Sequence, residues 1–390
     1  MSQLYLLEPE SPGPEWAPFA GVRPIAELRA GAWLVRERWE AALQSDTTAI
    51  IGKHVQGFHE AGAAPVQTGP GPTNGPAIIA ASWFAPTGTR ISAAPNIRRF
   101  THRGRTVAWF LGERDAWRGP HESGPALEIE GLLLRGAFDL VTALEVLLEA
   151  DCSDFLGTAT FEIPKGSLVL GDAQRVICRT THVEPGVVFD VRHGAVVLQE
   201  GAAVRHGARL EGPVFVGPNT RILGGFIRGC SFGPECRVHG EVATTVFTGF
   251  DNKSHDGFVG HSVLGPWVNL GAGTITSNLK NTYGSVRLEV HETRIETGRL
   301  NLGTLFGDHA KTAIGTMLST GTVISAGANV FGPAPAKYVP PFSWGADGSE
   351  RVSEEGFLRV AERVLGRRNV EFTSMVKSSL QQTYARGTCE

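Results

Sequence analysis

The sequence predicts an α/β N-terminal domain followed by a C-terminal left-handed parallel β-helix built from hexapeptide repeats. Three observations carry that expectation. Gly and Pro number 49 and 23 of 390 residues, above a background of about 12%, while 42% of the chain is hydrophobic. That is too apolar for a disordered chain and points to many tight corners. Apolar runs alternate with helical spacing up to about residue 165. From about residue 183 the period becomes six.

The length suggests more than one domain, and the divisions fall at 1–165, 166–345 and 346–390. In the first part the apolar runs 3–7, 47–51, 78–84 and 107–111 read as strands, and 61–78 as a loop. Helical spacing covers 32–44 and 135–150, where Phe138, Val141, Leu144 and Leu148 share one face. In the second part Leu198, Val204, Leu210, Val216 and Ile222 lie six apart, with a companion ladder Val196, Ala202, Ala208, Val214, Thr220 and Phe226. Leu264, Leu270, Leu318, Ile324 and Val330 stay in the same frame, accompanied by Thr316, Thr322 and Ala328. One aliphatic and one small residue per hexad is the pattern of a parallel β-helix. The competing fold, a β-sandwich, would hold that frame only by chance. Three hexads close one coil of such a prism, so seven or eight coils fit between about 165 and 332 if 247–257 and 279–311 loop out. The Pro-rich stretch from 332 then leads to a helical tail over 352–386.

With 36 basic and 39 acidic residues, net −3, nothing global favours nucleic acid or anionic membrane as a partner. Lys occurs only at 53, 165, 253, 280, 311, 337 and 377, four of them between 253 and 337. The five Cys (Cys152, Cys178, Cys230, Cys236, Cys389) lack paired metal spacing, as expected in a reducing compartment. The start, MSQLYLLEPES, lacks the basic region of a signal peptide, and no apolar run is long enough to span a bilayer. A cytoplasmic location is the expectation.

The most informative segment is 252–278, NKSHDGFVGHSVLGPWVNLGAGTITSN. It resembles the acetyltransferase domain of bifunctional UDP-N-acetylglucosamine pyrophosphorylase/glucosamine-1-phosphate N-acetyltransferases, the GlmU-type enzymes, most clearly in NLGAGTITSN at 269–278. The resemblance places the catalytic His on His255, acceptor contacts on Asn269 and Asn278, and a His-orienting carboxylate on Glu241, fourteen residues before His255. It implies acetyl-CoA as co-substrate, a CoA groove along Ala272, Gly273 and Ala326 with Lys311, and a homotrimer whose sites lie between neighbouring prisms.

The residue chemistry agrees. Acyl transfer to an amine needs the neutral amine, and a His titrating near neutrality is the usual general base. An orienting carboxylate fixes its tautomer. Small residues let a flat pantetheine arm approach the backbone. Against these stand plainer roles: a solvated loop His, corner-capping Asn residues, a structural His261, or a zinc site from His239, His255 and His261, whose spacing is poor. The sequence also departs from the family. Leu223 and Ala243 stand where an Arg and a Lys are expected, leaving Arg221 and Lys253 to hold the acceptor phosphate. Phe258 replaces a Tyr, and Leu279 another aromatic residue.

PFAGVRPIAELRAGAWLVRERWE (18–40), NLKNTYG (278–284), GDHAKTAIGTMLSTGTV (307–323) and VPPFSWG (339–345) look like a divergent bacterial branch of the same bifunctional type. The resemblance therefore implies an α/β nucleotidyltransferase-like domain at the N-terminus, with UTP and Mg²⁺ as substrate and cofactor if it is active. No Gly-rich phosphate loop precedes Arg23. Arg23, Arg29 and Gly31, with Arg36 and Arg38, form the nucleotide-binding candidate set; Arg36 and Arg38 fit a solvated helix face equally well, and no metal ligand is evident. The expected function is N-acetylation of an amino-sugar phosphate or nucleotide amino sugar for UDP-N-acetylglucosamine and cell-envelope precursor synthesis, with uridylyl transfer as a second activity. The alternatives are a nucleotidyltransferase trimerised by its β-helix, and a non-catalytic nucleotide-sugar-binding protein.

Overall fold

The computed structural model describes residues 2–69, 71–73, 75–88, 90–91 and 96–388; Cys389 lies outside them. In the N-terminal part, strand Gln3–Leu7 runs parallel between Thr47–Ile51 and Ala77–Ala81, and Val66–Gln67 extends the parallel half. Arg105–Leu111 turns the other half antiparallel, followed by Arg99–His102 and Ala126–Glu128. Alternation sorts the central strand: Leu4 and Leu6 join the large core with helices α1 (Val35–Leu43) and α2 (Asp139–Ser153), while Tyr5 joins Trp109 and Trp117 on the other side. Helix α1 starts later than the 32–44 spacing predicts because Trp33–Leu34 pairs with Arg29–Ala30. Phe138, Val141, Leu144 and Leu148 are all buried.

Beyond residue 167 three parallel sheets form a prism, consistent with a left-handed β-helix. The first face has six strands from Leu168–Leu170 to Phe258–Gly260, the second nine from Val176–Cys178 to Tyr338–Val339, and the third eight from His182–Val183 to Asn329–Val330. Leu198, Val204 and Leu210 are fully buried residues of the second, third and first faces, one coil of the predicted ladder.

The six-residue frame does not persist unbroken. Between Ile222 and Leu264 the inward positions are Ile227, Phe232, Val238, Val242, Phe247, Lys253 and Val259. The spacings are shortened, one extra strand is absorbed, and the frame is regained at Leu264. Consequently 247–257 is a regular coil and not an excursion. The true insertion, 277–304, contains the hairpin Arg287–Val290/Thr293–Glu296. The prism also continues past 332, since Tyr338–Val339 pairs with Val323–Ile324.

Outward residues of the second face, Ile177, Val197, Phe215, Val246, Val263, Leu305 and Val323, share one core with α2. This face is therefore apolar on both sides. Helices α3 (Glu354–Gly366) and α4 (Ser374–Thr388) strap the junction. Phe342, Phe357 and Leu358 pack with Tyr384, and Arg386 donates to Gly21 O at 2.6 Å and Gln56 O at 2.8 Å. The four described Cys are buried thiols, and burial pushes Cys230 up to about 12. Among the described residues no helix is long and apolar enough to cross a membrane.

Candidate functional site

His255 sits at the corner between the third and first faces, with an exposed ring. Its backbone is fixed from two sides. Lys253 Nζ donates to His255 O at 2.6 Å and to His239 O at 2.9 Å, and Gly273 N donates to Asp256 O at 2.9 Å. The His255 corner is thus stacked on the Ala272–Gly273 corner. Gly257, with φ +131°, closes the turn where a Cβ would overlap Thr274 O. His239 Nδ1 lies 3.1 Å from Asp256 Oδ1.

Lys253 occupies an inward prism position, 2% exposed, and burial lowers its pKa to about 8 against the pull of Asp256. Its ammonium is committed to two corner carbonyls. It does not reach an acceptor phosphate as the sequence reading expected, because its side chain runs into the core.

Asn269, on the third face, pairs in register with Asn252 and Lys311. Asn252 Nδ2 donates to Asn269 Oδ1 at 2.8 Å, and Ser254 Oγ to Asn252 Oδ1 at 2.6 Å. Lys311 Nζ donates to His309 O at 2.8 Å, and burial lowers it to about 8. Arg221 is exposed on the same face, in register with Arg237. His255, Asn269, Ala272, Gly273 and Lys311 thus share one edge of the prism.

The other predicted residues lie apart. Glu241 is exposed on the first face between Phe226 and Phe258, and makes no bond to His255 within the chain. Asn278 Nδ2 lies 2.8 Å from His261 Nδ1 at the next corner. Burial, then Arg299, pushes His261 down to about 4, so its ring is neutral and Nδ1 accepts. The sequence reading kept His261 as structural and missed this pair; the spacing from His255 was its only signal. Ala326 is buried, Phe342 N donates to its carbonyl at 2.8 Å, and a Cβ on neighbouring Gly327 would overlap the Phe342 ring. The tail seals this half of the expected CoA groove within the chain. Among the described residues no cluster of three His, Cys, Asp or Glu could hold a metal.

The His261 pKa has a measurable consequence. Its folded pKa lies below the unfolded value of about 6.5, so the unfolded chain binds more protons between these values. Stability is therefore lost as pH falls from about 6.5 to 4, by up to about 3 kcal/mol. His261→Gln keeps an acceptor for Asn278 and should remove that part of the acid sensitivity in urea unfolding. An unchanged acid limb would contradict the assignment.

In the N-terminal domain the predicted Arg set is not gathered at an open site. Arg23 is 2% exposed and ion-paired with Glu60 and, at 3.0 Å, with Asp308 of the prism. Burial opposes its charge, but Asp308 and Glu60 raise its pKa. Burial also pushes Asp308 up to about 6, so the pair is ionised at neutral pH. Arg29 is buried and donates to Ala32 O. Gly31 lies against Asp151 and Arg38. Arg36 pairs with Glu27 at 2.7 Å and Glu40 at 2.9 Å, and Arg38 with Asp151. Arg23, Arg36 and Arg38 are thus ion-paired inside the fold, whereas Arg29 is buried with its Nε unpaired.

The open crevice lies elsewhere, beyond the carboxyl ends of Gln3–Leu7, Thr47–Ile51 and Val66–Gln67, where parallel sheets place ligands. It measures about 450 Å³ and is lined by Glu8, Glu10, Lys53, Trp83, Trp117 and Arg118 among others. Sequence reading missed it, although Lys53 directly after an apolar strand was a signal. The two oxygens of Glu8 accept from Ile25 N at 2.9 Å and Ala26 N at 3.0 Å, so these amides, which could cradle a phosphate, already hold a carboxylate. With Glu8 so committed, Glu10 is the one carboxylate left in the lining among the described residues. This donor set does not fit a Mg²⁺ site.

The fold is a nucleotidyltransferase-like domain docked on a parallel β-helix, one edge of which gathers His255, Asn269 and Lys311. Residues 7–155 match the family model described as sugar nucleotidyl transferase. The chain is also similar to a bifunctional sugar-1-phosphate nucleotidylyltransferase/acetyltransferase of Sulfurisphaera tokodaii, 32% identical over 147 residues, 35% of each chain. The match spans about a third of that relative's length. These likenesses bear out the resemblance to the bifunctional type, from which this chain is divergent.

Proposed function

We propose that this protein is an acetyl-CoA-dependent N-acetyltransferase acting on an amino-sugar phosphate or nucleotide amino sugar, in cytoplasmic synthesis of UDP-N-acetylglucosamine and related envelope precursors. The observation carrying this reading is the stack of the His255 corner on the Ala272–Gly273 corner, beside Asn269 and Lys311. His255 takes the proton of the acceptor ammonium. The freed amine attacks the thioester carbonyl, the tetrahedral intermediate collapses with cleavage of the C–S bond, and the proton that the attacking nitrogen sheds is taken up by the departing CoA thiolate. Asn269 and Lys311 orient the substrates along the third face.

A homotrimer completes the site. Support comes from Ile314, Met317 and Ile275, which are 80%, 68% and 40% exposed next to the Ala272 corner. A neighbouring prism covering them would supply the missing partner of His255 and the second wall of the CoA groove. Ile314→Asp with Met317→Asp should convert the trimer to monomer in light scattering and abolish acetyl transfer. A trimer that survives both changes contradicts this interface.

The N-terminal crevice suits binding of a nucleotide sugar, with Trp83 and Trp117 for rings and Lys53 and Arg118 for the diphosphate. Mass spectrometry of a mixture of amino-sugar phosphates and nucleotide amino sugars incubated with acetyl-CoA tests the main reading. One acceptor should gain a single acetyl group, and pyrophosphate release from UTP with N-acetylglucosamine 1-phosphate in the same mixture reads the second, uridylyl-transfer activity. Unmodified acceptors throughout would refute acetyl transfer.

A further inference from the structure

A second feature of the third face concerns the tail. The outward ladder Arg221, Arg237, Asn252, Asn269, Lys311, Asn329 runs down this face, and the C-terminal end of α3 lies across it. Between them is a cavity of about 240 Å³ lined by Phe250, Asn252, Trp267, Asn269, Lys311, Val364, Arg367 and Arg368, with no carboxylate in its wall. Phe250 and Trp267 stack at 4.3 Å to make a rigid apolar floor.

The cations here are under-compensated. Arg237 is balanced by Glu235 at 3.0 Å, but Lys311 has a backbone carbonyl as its partner. Arg368 Nε is buried with no hydrogen-bond acceptor. Burial, then the like charge of Arg237, lowers the pKa of Arg368; Arg367 adds to the effect, and Glu235 and Cys236 oppose it. Burying unpaired positive charge is costly. An oxyanion would relieve that cost at Lys311 and at the half-buried Arg368, and the exposed Arg367 beside them adds a second guanidinium fork suited to phosphate.

We propose that the groove between the third face and the end of α3 binds a phosphoryl or pyrophosphoryl group of a small metabolite, held by Arg367, Arg368 and Lys311 with Asn252 and Asn269 as neutral contacts. The tail is therefore part of a binding site, and not only a strap. The groove shares Asn269 and Lys311 with the edge proposed for acetyl transfer and to that extent rests on the same reading, but it adds the α3 arginines and concerns binding alone.

The test is isothermal titration of the full chain with inorganic pyrophosphate at low ionic strength. The expected result is saturable binding that weakens with salt, falls at least tenfold in Arg367→Gln/Arg368→Gln, and is unchanged in Arg359→Gln, whose side chain pairs with Glu355 on α3. Competition by glucosamine 1-phosphate or by adenosine 3′,5′-bisphosphate then identifies a sugar phosphate or a nucleotide as the source of the group. No saturable binding to the unaltered chain, or equal affinity in the double variant, overturns the proposal. Activity assays are not needed, so failure here leaves the His255 reading untouched.

Discussion

His255→Ala should lower acetyl transfer by about 10²- to 10⁴-fold in kcat, the range expected when a general base is removed. KM for the acceptor should change little, since the ring contributes to proton transfer more than to ground-state binding. The effect should be separable from structural damage. The His255 ring is exposed, and the corner is held by its backbone through Lys253 and Gly273, so the variant should unfold at the same urea concentration as the parent. Steady-state kinetics near neutrality provide the measurement. Full turnover in the variant would assign proton removal to another group.

The second large effect belongs to stability. Asp151→Ala should cost about 3–5 kcal/mol, because it leaves a buried Arg without its counter-charge. Arg38 is 5% exposed, donates to Ala30 O at 2.7 Å and ion-pairs with Asp151. Asp151 also accepts from Ala32 N at 2.8 Å, so one carboxylate ties α1, the turn at Gly31 and α2 together. Burial pushes the Asp151 carboxyl up, with Arg38 opposing. Replacing both partners, Arg38→Met with Asp151→Leu, should recover most of the loss, as is usual when a buried pair gives way to apolar packing. Denaturant unfolding reads both. A loss below about 1 kcal/mol in the single variant would show that the pair does not hold the domain together.

Much of the fold was legible because an inward side chain repeats wherever a strand crosses a prism face. Leu198, Val204 and Leu210 show the rule directly. It failed at Lys253, where a charged residue takes an aliphatic slot, and 247–257 therefore read as a loop. No hexad count reveals that the carbonyls of His239 and His255 satisfy that ammonium. The docking of the N-terminal domain had a signal that the frame ignored. Val196–Leu198 and Val214–Val216 are apolar at every position, as in strands covered on both sides.

Motif and corner coincide at His255, Asn269, Ala272 and Gly273, which the fold brings to one edge of the prism. The site was not legible where long-range partners decide the role. Arg23 looks like a phosphate ligand in a local Arg cluster, but its partner Asp308 is 285 positions away. Ala326 looks like an open groove floor until Phe342 closes over the adjacent turn.

Under the proposed function, the edge carrying His255 transfers an acetyl group to an amine. Continuous detection of CoA thiol, with and without amino-sugar phosphate, tests it most directly. Saturable, acceptor-dependent thiol release, matched one to one by N-acetylated product and lost in His255→Ala, is the expected result. Thiol release that is absent with every acceptor, or equally fast without one, would contradict it.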